Sequence, residues 1–253
     1  MYPYEIIGSI DLYTIFISVG IILSLLIYRL CADKRQMSSR LFNFTLVSIV
    51  ISILLGFFSA VFFQALYNIE KNGGFIIDKD TGATFAGGLI GGIAAFVLIY
   101  FALGKKFSSN HKKEFIKTLN CAACAIPAAH AMGRFGCLMA GCCYGKETSS
   151  ALGIYMINID KKVIPTQLYE ALFLIILSVL LILLLFKSKI WTMPVYMAAY
   201  GTWRFLIEFL RDDFRGTSFI PFLTPSQTVS LFFIIGAIIL FFIYRNTELN
   251  KIS

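Results

Sequence analysis

Apolar stretches of about twenty residues, the length needed to cross a bilayer, follow one another along this 253-residue chain. Two of them contain an arginine: Arg134 in CAIPAAHAMGRFG and Arg204 in MAAYGTWRFLIEFLR. Lipid offers no hydrogen-bond partners to a bare backbone, so stretches of this kind are confined to helices. Arginine stays charged in any protein environment, and at bilayer depth it costs on the order of a few kcal/mol on insertion scales. A chain tolerates that where the guanidinium meets an anion. The abundant anion in a membrane is a lipid phosphate, so the two arginines point to phospholipid headgroups.

Composition agrees with a bilayer environment. Hydrophobic residues make up 58% of the chain and charged residues 14%, against roughly 25% charged in soluble domains, and the mean hydropathy is +0.80. Length and polarity together predict an all-α, polytopic membrane helix bundle of about seven transmembrane helices, at residues 12–30, 41–66, 85–103, 115–135, 165–186, 191–210 and 228–244. The fourth is the least apolar, rich in Ala and Cys with polar Asn120 and His130, and suits a helix packed among its neighbours. With no tandem repeat or low-complexity tract, residues 1–253 read as a single domain, with a small extracytoplasmic segment around 136–164.

The net charge of +8 is compatible with nucleic-acid binding, but the placement of the charges argues against it. One set of loops holds Lys34, Arg35, Arg40, Lys105, Lys106, Lys112, Lys113, Lys187, Lys189, Arg245 and Lys251, opposed only by Asp33, Glu114 and Glu248. The alternate set holds Glu5, Asp11, Glu70, Asp78, Asp80, Asp160, Asp212 and Asp213 with fewer basic residues. The positive-inside rule makes the first set cytoplasmic, so the N-terminus is expected outside and the C-terminus inside. MYPYEIIGSID has no basic n-region, so the first apolar segment is expected to be retained rather than cleaved.

Four motifs carry chemistry. In HAMGRFGCLMAGCCYG, His130 and Arg134 are spaced i, i+4 and share a helix face. Small residues around them allow close backbone approach, and a bend here would free N–H groups for an anion. Helix packing alone would also use the small residues but would not require the arginine. In YGTWRFLIEFLR, Tyr200, Arg204, Glu208 and Arg211 fall within about an 80° arc at roughly 100° per residue. This polar stripe suits either ligand binding or a structural Arg204–Glu208 pair, and the two are compatible. In IPTQLYEALF, Pro165 and Thr166 read as a helix start, and Glu170 suits either a counter-ion for one arginine or an interfacial polar group. In FAGGLIGG, Gly87 and Gly88, with Gly91 and Gly92, form overlapping GxxxG patterns, which favour helix packing and also leave room for a headgroup.

The six cysteines, Cys31, Cys121, Cys124, Cys137, Cys142 and Cys143, are too irregularly spaced for a disulfide scaffold. His130 with Cys137, Cys142 and Cys143 offers zinc-ligand chemistry, but no CxxC…CxxC spacing supports it, and no metal is expected. A disulfide at Cys142 or Cys143, or a thiol activated by the nearby arginine, are the alternatives.

Taken together, Tyr13 in the first span, GGLIG at 87–91, GRFG at 133–136, PTQLYE at 165–170 and YGTWRFLIEFLR at 200–211 resemble the bacterial prolipoprotein diacylglyceryl transferase family nearly end to end. The resemblance implies transfer of the diacylglyceryl group of phosphatidylglycerol to the thiol of a lipobox cysteine in a prolipoprotein signal peptide. It implies a multi-pass protein of the bacterial cytoplasmic membrane that needs no cofactor and binds no nucleic acid. Arg134, Arg204 and His130 are then the expected catalytic residues. Tyr13, Tyr200, Gly87, Gly88, Gly133, Glu170 and Glu208, with both arginines, are expected to bind the headgroup. The chain departs from the family pattern in three places. Ala86 replaces a histidine before GGLIG. Cys137 and Cys142 replace an asparagine and a glutamate after the GR pair. Ile164 replaces a histidine before PTQLYE. His130, sharing a face with Arg134, is the substitute base these losses suggest. Two further readings fit the same residues: a lipid-modifying enzyme with another acceptor, and a phospholipid-binding or transport protein without catalysis.

Overall fold

In the computed structural model, residues 5–7, 10–69, 74–78, 81–187, 191–212, 220 and 222–249 are described. The loop charges Glu70, Asp80, Lys189, Asp213 and Lys251 lie outside the described residues, as do the side chains of Glu5, Ala86 and Glu248. A short antiparallel hairpin, β1 (Glu5–Ile7) and β2 (Ile10–Asp11), leads into α1 (Leu12–Lys34). Then follow α2 (Ser39–Tyr67), α3 (Phe85–Leu103), a 3₁₀ turn (Gly104–Lys106) and α4 (His111–Ala140). A second antiparallel hairpin, β3 (Ile154–Met156) and β4 (Lys161–Val163), precedes α5 (Thr166–Lys187) and α6 (Thr192–Ile207). A 3₁₀ turn (Glu208–Leu210) closes α6, and α7 (Pro225–Leu249) ends the description.

Each stretch expected to be a span is helical. Among the described residues, five helices are long and apolar enough to cross a membrane: α1, α2, α3, α5 and α7. The other two differ for physical reasons. Helix α4 is long but carries Lys, Glu, Asn and His among its alanines. Helix α6 has 16 residues, a rise of about 24 Å at 1.5 Å per residue, before its geometry tightens. The two hairpins add β-structure that an all-α reading omits. Strands of two or three residues are too short to register as a period-two pattern.

The chain divides into two compact units, one formed by residues 1–34 and 119–253, the other by 35–118. In the first, Asp11 caps α1. Its carboxylate accepts the Thr14 amide at 2.8 Å and the Thr14 hydroxyl at 2.7 Å. These bonds hold the Asp11 carboxyl below its usual range. Helix α5 shows how the lipid-facing bundle is patterned. Glu170, Leu174, Leu177, Leu181 and Leu185 form a buried stripe, while Leu172, Ile176, Val179 and Leu180 on other faces are about half exposed. Pro127 interrupts the hydrogen-bond ladder of α4. Near that break the Ser178 hydroxyl donates to the Cys124 carbonyl and the Thr192 hydroxyl to the Asn120 carbonyl, both at 2.7 Å. At one pole Lys34 ends α1 with its ammonium 5.4 Å from the Phe186 ring at the end of α5.

In the second unit, α2 and α3 meet through small residues. A Cβ on Gly56 would lie 2.9 Å from the Gly88 carbonyl oxygen, and one on Gly91 would collide with the Ser59 side chain. The Ser59 hydroxyl donates to the Gly87 carbonyl at 2.9 Å. At the far end Phe44 stacks on Phe107 (4.4 Å, 13°), and the buried Tyr100 hydroxyl donates to the His111 carbonyl at 2.9 Å. The GxxxG pattern is thus a helix-packing device. Gly56→Leu is expected to lower the melting temperature of the detergent-solubilised protein by the equivalent of about 1–3 kcal/mol of overpacking. Gly74→Ala, where an added Cβ meets nothing within 4 Å, is expected to leave it unchanged.

Candidate active site

Glu170, one turn into α5, is completely buried and gathers three other helical side chains. Its Oε1 accepts a hydrogen bond from the Tyr200 hydroxyl of α6 at 3.1 Å. Its Oε2 lies 3.0 Å from Arg134 Nε of α4, with side-chain exposures of 0% and 12%. His130, one turn before Arg134, places Nε2 3.8 Å from Glu170 Oε1 and keeps 29% of its side chain exposed. Its ring meets the Tyr200 ring edge-on at 5.2 Å. The i, i+4 spacing of His130 and Arg134 therefore delivers both to one carboxylate. The Arg134–Glu170 contact is an ion pair by distance, since neither Nε nor Oε2 has an aligned hydrogen bond. Among the described residues no hydrogen bond engages the Arg134 Nη nitrogens, so the open end of the guanidinium fork is available to an anion.

Arg204 centres a second polar group. Its Nη2 lies 2.7 Å from Glu208 Oε2 and donates to Ser226 Oγ of α7 at 2.7 Å. Its buried Nη1 has no hydrogen-bond partner among the described residues. Glu208 Oε1 accepts the Thr224 hydroxyl at 2.8 Å, and Arg211 Nε stands 3.9 Å from Glu208 Oε2. The polar stripe expected on one helix is thus divided. Tyr200 serves Glu170, whereas Arg204 and Arg211 serve Glu208, because α6 tightens into a 3₁₀ turn at Glu208. Sequence reasoning missed Thr224 and Ser226. The signal was present in TPSQ: the Gln227 amide donates to the Thr224 hydroxyl at 3.2 Å, and the Gln227 side chain accepts the Thr224 amide at 3.0 Å. That reciprocal box marks a helix start.

The bend expected within the segment 130–145 comes only at its far end. Helix α4 continues through Gly133 and Gly136 to Ala140, so the amides there stay within the helix. Gly136 instead admits α1: a Cβ on it would lie 3.0 Å from Tyr13 Cδ2 and 3.3 Å from the Tyr13 carbonyl oxygen. Gly133 faces Ile17 at an ordinary 3.6 Å. The chain turns at Gly141 (φ +70°) and Cys143 (φ +65°). The latter is a left-handed non-glycine residue, a conformation that costs on the order of 1–3 kcal/mol and persists only where its surroundings fix it. Here they do. Asn158 Nδ2 donates to the Gly141 carbonyl at 2.7 Å, the Gln167 side chain to the Cys142 carbonyl, and the Thr166 hydroxyl to the Cys143 carbonyl at 3.0 Å. Gly145 then joins three segments. Its amide donates to the Ile164 carbonyl at 2.9 Å, and an added Cβ would lie 2.5 Å from the Leu210 carbonyl oxygen. The β3–β4 hairpin packs Met156 and Val163 on Leu138 near the end of α4.

Gly87 and Gly88 belong to the second unit and pack there against Phe63 and Ala60.

Comparison with known proteins bears on the whole chain. The sequence model described as prolipoprotein diacylglyceryl transferase matches residues 4–243. The chain belongs to the prolipoprotein diacylglyceryl transferase family. A Clostridium perfringens protein named phosphatidylglycerol–prolipoprotein diacylglyceryl transferase 2 is 32% identical across 94% of this chain and 92% of its own length. Transferases of Clostridium tetani (30%, covering 92% of each chain) and Finegoldia magna (31%, covering 92% and 90%) are similar over the same extent. Within this diacylglyceryl transferase family member, Cys137 and Cys142 stand near Arg134 in sequence, and with Cys143 they bring three sulfur atoms within 4.8 Å of one another.

The buried Glu170 carboxylate is expected to be more important to the fold than any surface pair. Glu170→Gln leaves Arg134 buried without a counter-charge, and should destabilise the protein by about 3–5 kcal/mol in a denaturant titration. Glu147→Ala, which breaks the exposed pair with Lys161 at 2.9 Å, should leave the unfolding midpoint unchanged.

Proposed function

We propose that this chain transfers the diacylglyceryl group of phosphatidylglycerol to the thiol of the lipobox cysteine in a prolipoprotein signal peptide, in the cytoplasmic membrane of a bacterium. The observation that carries the proposal is the buried Arg134, with the open end of its guanidinium unpartnered, inside a chain that the family matches from residue 4 to 243. The relatives' names supply both substrates. In the reaction the sulfur of the incoming cysteine attacks the glycerol carbon that bears the phosphate ester. A C–S bond forms, the C–O bond breaks, and its electron pair leaves with glycerol phosphate. The thiol proton passes to a base, because the thiolate is the nucleophile.

Arg134 and Arg204 hold the phosphate and stabilise the charge that develops on it. Glu170 orients Arg134, and Glu208 orients Arg204. His130 is the proposed base: it lies one turn from Arg134 and is partly open to its surroundings. Tyr200, through Glu170, and Tyr13 and Gly133, at the α1–α4 contact, shape the headgroup site. Seven spans with the N-terminus outside and the C-terminus cytoplasmic complete the proposal. Lys34 and Phe186 at one pole of the first unit support it, because they bring the basic ends of α1 and α5 together.

The test is incubation of purified protein with labelled phosphatidylglycerol and a lipobox peptide. Thioether-linked product supports the proposal. Lipid turnover without peptide labelling would mean another acceptor, and binding without turnover a lipid-binding protein. Arg134→Ala and Arg204→Ala are each expected to lower the transfer rate by about 10²-fold or more while the protein still inserts into membranes; wild-type turnover in either removes the phosphate-clamp role. His130→Ala is expected to slow transfer by about 10²-fold or more, and Cys121→Ala hardly at all. Equal effects would dismiss His130 as the base.

A further inference from the structure

The thiols of Cys137, Cys142 and Cys143 have no part in the transfer chemistry above, yet they converge. Cys137 lies on the last turn of α4, and Cys142 and Cys143 in the turn that follows it. All three sulfur atoms lie within 4.8 Å of one another, with Cys137 and Cys143 half-buried and Cys142 exposed. None forms a disulfide. Among the described residues no His, Asp or Glu joins the group.

We propose that Cys137, Cys142 and Cys143 form a three-thiolate site for a soft, thiophilic metal ion. Three features carry this. The first is donor chemistry: sulfur ligands select soft or borderline ions such as monovalent copper, zinc and cadmium over hard ones. The second is number: three thiolates with no carboxylate or imidazole give a trigonal sulfur set, open on one side to a water or other exogenous ligand. The third is preorganisation. The carbonyls of Gly141, Cys142 and Cys143 are each tied down by the side chains of Asn158, Gln167 and Thr166, and Cys143 is locked in a left-handed conformation. The turn therefore holds the sulfurs together without a metal, leaving small adjustments of the side chains to close the distances to bonding range. Binding replaces three S–H protons by three metal–sulfur bonds and releases the protons to solvent, with no change in oxidation state. The site is distinct from the buried thiols of Cys31, Cys121 and Cys124, and the exposed Cys142 gives an ion a path to it.

The experiment is anaerobic titration of the reduced, detergent-solubilised full chain with cadmium ions, read by thiolate-to-metal charge-transfer absorption in the ultraviolet and by released protons. The expected result is a band that saturates at one cadmium per chain and survives in a Cys31→Ser/Cys121→Ser/Cys124→Ser variant. Cys142→Ser should weaken binding by at least tenfold; as an exposed residue it can be changed with little risk to folding, which circular dichroism will verify. Cys137→Ser and Cys143→Ser should each do the same. Absence of the band in the wild type, or a band unchanged in Cys142→Ser and lost with the buried trio, overturns the proposal. Neither outcome depends on whether the chain transfers lipid.

Discussion

The contact on which the first unit depends is the 3.0 Å approach of Arg134 to Glu170. Two opposite charges at that distance attract by several kcal/mol even at an effective dielectric of about 20. Removing both from water costs an amount of the same order. The pair is therefore weak evidence for stability but a strong determinant of arrangement. With Arg134 fixed on α4 and Glu170 on α5, each needs the other, and Tyr200 from α6 completes the carboxylate's hydrogen bonding. Three helices are thereby held at one level of the bundle by a single charged group. The same logic recurs at Glu208, which accepts from Thr224 and pairs with Arg204, tying the end of α6 to the start of α7.

These polar groups can sit where they do because small residues bring the helices close. Gly136 lets Tyr13 lie against α4, and Gly20 of α1 faces Met132 and Ala129 so closely that an added Cβ would lie 2.9 Å from Met132 Cβ. Apolar side chains gain nothing from burial against each other rather than against lipid. Close backbone approach and interhelical hydrogen bonds must therefore supply the specificity. The buried hydroxyls of Ser178 and Thr192 fit that rule.

Much of this was legible in the sequence, and the losses have identifiable causes. All seven helices could be placed because long apolar runs have only one way to satisfy their backbone in lipid. Glu170 as a counter-ion for an arginine, and Arg204 with Glu208, were each one of two readings open in the sequence, raised by charge scarcity: a buried ion must find one of very few opposites. The failures are local. The bend within 130–145 could not be placed because glycine is permissive without obliging a helix to break: Gly136 admits Tyr13, and the chain turns at Gly141. The stripe from Tyr200 to Arg211 assumed 3.6-residue geometry where the helix tightens. The three thiols were named as possible ligands and set aside because CLMAGCC has no metal-ligand spacing; the turn at Gly141 and Cys143 brings position 137 to 142 and 143.

Both arginines are already paired with carboxylates, which at first sight argues against phosphate binding. The resolution lies in which atoms are engaged and in how charge changes during the reaction. Arg134 meets Glu170 through Nε, leaving the Nη end, the part of the fork best suited to a bidentate phosphate. Arg204 meets Glu208 and Ser226 through Nη2 and keeps Nη1 without a partner. A phospholipid phosphodiester carries one negative charge, whereas a phosphate monoester at neutral pH carries about 1.5–2. Negative charge on the phosphate therefore grows as the C–O bond breaks. A guanidinium whose net charge is partly offset by a fixed carboxylate binds the resting diester modestly and the departing monoester more strongly. In the proposed mechanism that difference, rather than tight binding of the lipid, accelerates the step.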